Sequence, residues 1–267
     1  MSSLPEPEAV KMLWLARLEY RFHAWRERRA RKRGKTASVT PFPGYGGPGW
    51  VRVLGRVLIV PPPKQTESGS FASVRGWRSF IGVPVGYAQV TIHAAGSTHV
   101  VVADRGGVID TVVEADFGPG WQSVTMSVEG SDPVEAKVFV VADDVSFGIV
   151  SDIDDTVMVT ALPRPLVAAW NSFVVDEYAR VPVPGMAVML ERLIRDHPGA
   201  PVVYLSTGAW NIVPTLSRFL SRHLFPAGAV LLTDWGPTHD RWFRSGKEHK
   251  LANLRRLAKE FPHVQWL

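Results

Sequence analysis

The sequence predicts a parallel-sheet α/β domain over 145–267, preceded by a small antiparallel β-sandwich-like domain over 38–144 and a basic amphipathic helix within 1–37. Three observations predict this. From Phe147 onward, apolar runs alternate with helical patterns, the grammar of a parallel sheet. Upstream, short β-prone runs recur between turn residues with no helical period. At the amino terminus, apolar residues recur at spacings of four and three.

Taken in order, residues 8–33 read as a helix with Val10, Trp14, Leu18, Phe22 and Trp25 on one stripe. Its end, Arg26-Glu-Arg28-Arg29-Ala-Arg31-Lys32-Arg33-Gly-Lys35, is almost unrelieved positive charge. Such a helix suits an anionic membrane surface. It equally suits packing on its own domain with a solvated basic end. Nucleic acid is not expected, because no aromatic residue interleaves with the basic run. The stretch 40–50, with three prolines and four glycines before Trp50, breaks any helix. Strands are predicted over 51–60, 88–93, 99–103, 107–113, 123–128 and 136–141. Beyond them come a strand over 147–150, an apolar helix over 162–178 that would form a cap, and a helix over 184–195. Strands over 201–205 and 229–233 flank a helix over 212–224. A last helix over 251–261, with Leu251, Leu254, Leu257 and Ala258 on its core side, leads to a strand from His263.

The chain has 267 residues, enough for one large or two modest domains. It has no cysteine, which excludes disulfides, a thiol nucleophile and Cys-ligated zinc. No apolar run approaches the ~20 residues of a membrane span. The first residues lack the basic-then-apolar order of a secretion signal. The expectation is a cytoplasmic protein, peripheral to the inner face of the membrane. A formal charge of +5 favours anionic partners.

Chemistry concentrates in Ser151-Asp152-Ile-Asp154-Asp155-Thr156, at the carboxyl end of a buried strand. In open α/β sheets that edge is where ligands bind. Two carboxylates on one tight turn repel unless a cation or a shared proton relieves them. Mg²⁺ takes such oxygen ligands, and an Asp carboxylate is a competent nucleophile toward phosphorus. The strand over 201–205 ends in Ser206-Thr207-Gly-Ala-Trp210-Asn211, whose hydroxyls are placed to hydrogen-bond a phosphoryl oxygen. Trp210 lines that pocket or packs beneath it. The strand over 229–233 leads into Asp234 and a loop rich in aromatic and basic residues, followed by Gly-Lys247-Glu-His249-Lys250.

The Asp-x-Asp-x-Thr turn resembles motif I of the haloacid dehalogenase-like (HAD) phosphotransferases, and the phrases around Ser206, Asp234 and Lys250 resemble the actin-patch-type phosphatidate phosphatases. Bacterial members of that family are similar upstream too, in Pro-Gly44-Tyr-Gly and Gly49-Trp50-Val-Arg-Val-Leu-Gly-Arg. The resemblance implies a HAD-like (Rossmannoid) fold and Mg²⁺-dependent hydrolysis of phosphatidate to diacylglycerol. It implies Asp152 as nucleophile and Asp154 as acid/base, both also holding Mg²⁺. Ser206, with Thr207 as alternate, would hold the phosphoryl group. Lys250, with Lys247 as runner-up, would neutralise its charge. Thr156, Thr207, Trp210, Asp234 and Lys247 would line the substrate site. HAD enzymes carry a further acidic motif IV after the strand that here starts at His263, and nothing acidic follows Glu260. The expectation is a chain truncated before that motif, binding Mg²⁺ weakly. A non-catalytic lipid- or partner-binding protein is the alternative.

Overall fold

The computed structural model describes residues 36–59, 82–154, 156–158, 181–233 and 242–267. The predicted helix over 8–33, the predicted cap over 162–178, and Asp234 with its loop lie outside the described residues. The chain runs β1 (Ala37–Gly47), β2 (Trp50–Ile59), β3 (Val83–Pro84), β4 (Gln89–Ala94), β5 (Ser97–Val102), β6 (Val108–Glu114), β7 (Gly120–Val128) and β8 (Val134–Val140). Then follow β9 (Phe147–Asp152), α1 (Met186–Asp196), β10 (Val202–Ala209), a 3₁₀ turn at Trp210–Ile212 and α2 (Val213–Arg222). β11 (Ala229–Thr233), α3 (Trp242–Glu260) and β12 (Gln265–Trp266) complete the described elements.

Strands β1–β8 form one curled sheet in the order β3-β2-β1-β8-β7-β4-β5, and β6 shares the outer edge of β2 with β3. All its pairings are antiparallel except β1 with β8. A second, four-stranded parallel sheet has the order β11-β10-β9-β12.

This overturns the expected fold class. The chain is not a HAD-like parallel α/β fold behind a small sandwich. Its largest element is the mixed, mostly antiparallel sheet; the parallel sheet is small, and only three helices are described. Strand–helix alternation carries no information on which sheet covers which face. Here β2 serves two cores. Its odd residues Val51, Val53, Val57 and Ile59 fill the interior of the curled sheet. Leu54, pointing the other way by the period of two, joins Phe42 and Tyr45 in the core of the parallel sheet. That second core runs through Ile149, Val203, Tyr204, Leu216 and Leu231. Phe42 stacks on Trp210, with ring centroids 5.5 Å apart and planes 6° apart.

β1 was not predicted as a strand, because Pro41, Pro43, Gly44, Gly46 and Gly47 read as breakers. The structure shows why they are tolerated. β8 pairs with β1 only at Gly44, Tyr45 and Gly46, so both prolines precede the stretch flanked on both sides, as a residue without an N–H requires. A β-carbon at Gly44 would lie 2.2 Å from the Arg52 carbonyl oxygen, so only glycine lets β1 and β2 approach at this bulge. The last helix also departs from expectation. It begins at Trp242 rather than 251 and is rolled about its axis. Leu251 and Leu254 are 39% and 40% exposed, while Asn253 and Leu257 are buried.

Candidate active site

β9 is the inner strand between β10 and β12, and its register with β10 sets Asp152 beside Leu205. Both strands run the same way, so the residues just beyond this pair, Asp154 and Ser206, emerge at one carboxyl edge. After Asp152 the chain turns tightly, with Val157 and Met158 both donating backbone N–H groups to the Ile153 carbonyl at 3.1 and 3.2 Å. Ile153 and Val157 anchor the turn in the core, leaving Asp152, Asp154 and Thr156 half-buried around it.

Four of the predicted residues meet here in two pairs. Lys250 Nζ donates to Asp152 Oδ2 at 2.6 Å. The other oxygen of Asp152 accepts the Ile153 N–H at 2.8 Å, which fixes the carboxylate plane. Ser206 Oγ donates to Asp154 Oδ2 at 3.1 Å and accepts the Gly208 N–H at 3.0 Å. Ser206 is 1% exposed. A β-carbon on Gly208 would lie 2.6 Å from Ile212 Cδ1, so the Ile212 side chain would have to shift to admit one.

The other candidates are placed differently. Thr207 is half-buried beyond Ser206. Trp210 is buried against Phe42 and supports the turn from below. Lys247 is exposed, one turn before Lys250 on α3. Hard carboxylate oxygens at one strand end suit Mg²⁺, which is commonly held by one or two carboxylates with waters and substrate phosphate completing its shell. Asp152 and Asp154 are the two carboxylates at this turn that could serve as such donors. Among the described residues no cluster of three or more His, Cys, Asp or Glu could hold a metal.

Sequence reasoning missed the groups that hold α3. Asn253, buried one turn after His249, donates to the His249 carbonyl at 3.0 Å, and its amide nitrogen stands 3.0 Å from His249 Nε2. Arg256 Nη1 donates to Asn253 Oδ1 at 3.1 Å. Arg52 on β2 pairs with Asp110 and reaches Glu260, and the Tyr45 hydroxyl donates to Glu260 at 2.7 Å. The one available signal was a cation inside the apolar run of β2.

Burial lowers the pKa of His249 below its ordinary 6.5, and the charge of Arg256 adds to this; Asp110 opposes the shift and Lys250 reinforces it. Above pH 6.5 the ring is neutral in both folded and unfolded chains. Below that value the unfolded chain takes up a proton that the folded chain refuses, so stability falls as pH drops toward the folded pKa. Thermal melts at about pH 7.5 and 5.5 should show wild type losing more Tm than His249→Gln on acidification. Equal losses would show that His249 is not buried in its neutral form.

Residues 147–267 match the family model described as Phosphatidate phosphatase APP1, catalytic domain. That family supports a phosphatase with a phospholipid substrate. The upstream phrases around Gly44 and Trp50 lie outside the matched segment. No curated protein matches the chain. Among the described residues, no helix is long and apolar enough to cross a membrane.

Proposed function

We propose that the chain is a Mg²⁺-dependent phosphatidate phosphatase working through an aspartyl-phosphate on Asp152. One observation carries the reading: Asp152, paired with Lys250 at 2.6 Å, shares a strand-end turn with Asp154, which Ser206 orients.

An Asp152 carboxylate oxygen attacks phosphorus, and the bond to the diacylglycerol oxygen breaks. Asp154 gives its proton to that departing oxygen. Asp154 then takes a proton from water, whose oxygen attacks phosphorus and releases Asp152 and inorganic phosphate. Lys250 offsets charge on the transferring phosphoryl group and the Thr207 hydroxyl hydrogen-bonds its oxygens, while Ser206 keeps its proton on Asp154. Thr156 and Lys247 would contact the rest of the substrate. Asp152 and Asp154 would hold Mg²⁺, which when bound draws negative charge from the phosphoryl oxygens. Substrate reaches the site from an anionic cytoplasmic membrane face, to which the basic segment 8–33 would bind.

The test is phosphate release by the purified chain from phosphatidate in detergent micelles, with Mg²⁺ and with excess EDTA. Release with Mg²⁺ and none with EDTA is expected. A chain that frees no phosphate from phosphatidate or from soluble phosphomonoesters is a binding protein instead.

A further inference from the structure

The curled sheet takes no part in the chemistry proposed above, yet three of its strands, β1, β2 and β6, reach the helix that carries Lys250. Arg52 stands in the middle of β2, on the face turned toward α3, with only 8% of its side chain exposed. Its Nη2 donates to Asp110 Oδ2 at 2.7 Å, and its Nη1 lies 3.5 Å from Glu260 Oε1. The other oxygen of Glu260 accepts the Tyr45 hydroxyl. The Arg52 guanidinium also sits 6.0 Å from the centre of the Tyr45 ring. Burial opposes the charge of Arg52, but the hydrogen bond and charge of Asp110, with Tyr45 and Glu260, outweigh it and raise its pKa. Burial chiefly pushes the Tyr45 hydroxyl up, so it stays a donor.

From Glu260 the polar row continues back along the inner side of α3. Arg256 lies 3.9 Å from Asp110 Oδ2 and donates to Asn253, which donates to the His249 carbonyl. The next residue is Lys250, on Asp152. Leu257 and Phe261 are the buried apolar residues at this end of the helix, while Leu251 and Leu254 face outward. Apolar burial is non-directional and leaves a helix with so few anchors free to roll or slide. Charge-assisted hydrogen bonds of fixed geometry do not.

We propose that Arg52 is a positioning residue for the active site: through Asp110 and Glu260 it sets the rotation and axial placement of α3, and hence where the Lys250 amine meets Asp152. This gives the curled sheet a role, as the frame against which the catalytic helix is registered. The catalytic consequence rests on the phosphatase reading; the placement of Lys250 does not.

The experiment compares wild type with Arg52→Met, Arg52→Lys and Tyr45→Phe, each checked for folding by circular dichroism. Two readouts are taken: kinetics on phosphatidate micelles, and the acetylation rate of Lys250 by mass spectrometry. A displacement near 1 Å at a reacting group costs on the order of a hundredfold in rate. Folded Arg52→Met should therefore lose about ten- to a hundredfold in kcat with little change in KM, and its Lys250 should acetylate faster. Arg52→Lys should recover part of both, since an ammonium keeps the charge but lacks the fixed fork of the guanidinium. Tyr45→Phe keeps the ring and removes one hydrogen bond to Glu260, so it should shift both readouts less, in the same direction. It decides alone if Arg52→Met does not fold. Wild-type kcat and wild-type labelling in the folded variants would overturn the proposal, and so would a loss of kcat without altered Lys250 labelling. An inactive wild type would end the phosphatase reading, while the labelling arm would still decide whether Arg52 places Lys250.

Discussion

Asp152→Asn should reduce phosphate release by about a thousandfold or more, the scale on which enzymes lose rate when a nucleophile is removed. The amide keeps the size of the carboxylate and can still accept the Ile153 N–H that orients it, so the loss is chemical rather than structural. The variant gives up its nucleophilic oxygen and the charge that faces Lys250 at 2.6 Å. That ion pair is partly exposed, with side-chain exposures of 29% and 38%, so breaking it should cost little stability. The check is a single-turnover assay beside a thermal melt. A variant that melts like wild type and keeps its rate would move the nucleophile elsewhere.

The largest stability effect is expected at Trp210. Truncating a buried Trp to Ala costs about 3–5 kcal/mol, and Trp210 is 5% exposed and stacked on Phe42. Phe42 belongs to the curled sheet and Trp210 follows the last residue of β10, so this stack joins the two sheets. Trp210→Ala and Phe42→Ala should each lower the urea midpoint substantially. The double variant should fall short of their sum by about 1 kcal/mol, the coupling of a ring pair. A loss below about 1 kcal/mol in Trp210→Ala would mean the indole is not a joint between the sheets.

Local chemistry was the most legible part of the sequence. Asp152, Asp154 and Ser206 read from the sequence as strand-end residues and Lys250 as a helix-start residue; Lys250 lies well inside α3, yet the four come within hydrogen-bond reach of one another in pairs. Their spacing along the chain could be read because each strand is a short apolar run with polar residues at its end. The fold class could not be read the same way. The parallel pairing of β1 with β8 and the sharing of β2 between two cores depend on residues far apart in sequence. Propensity also misleads at β1, where prolines and glycines mark a bulge and a close backbone approach instead of a loop. On α3, the leucines at 251 and 254 imitate a core stripe, while the buried side is partly polar and its partners sit on other elements. The role of Arg52 is not legible locally, because it depends on Glu260, 208 residues away.

That separation bears on how the molecule comes to exist. Ser206 meets Asp154 across 52 residues, Lys250 meets Asp152 across 98, and Glu260 meets Tyr45 across 215. Each is a loop whose closure entropy is spent before the contact returns anything. No short peptide cut from this chain could therefore retain even a vestige of the constellation. Closures this long raise the mean sequence separation of the contacts, which slows folding as a whole.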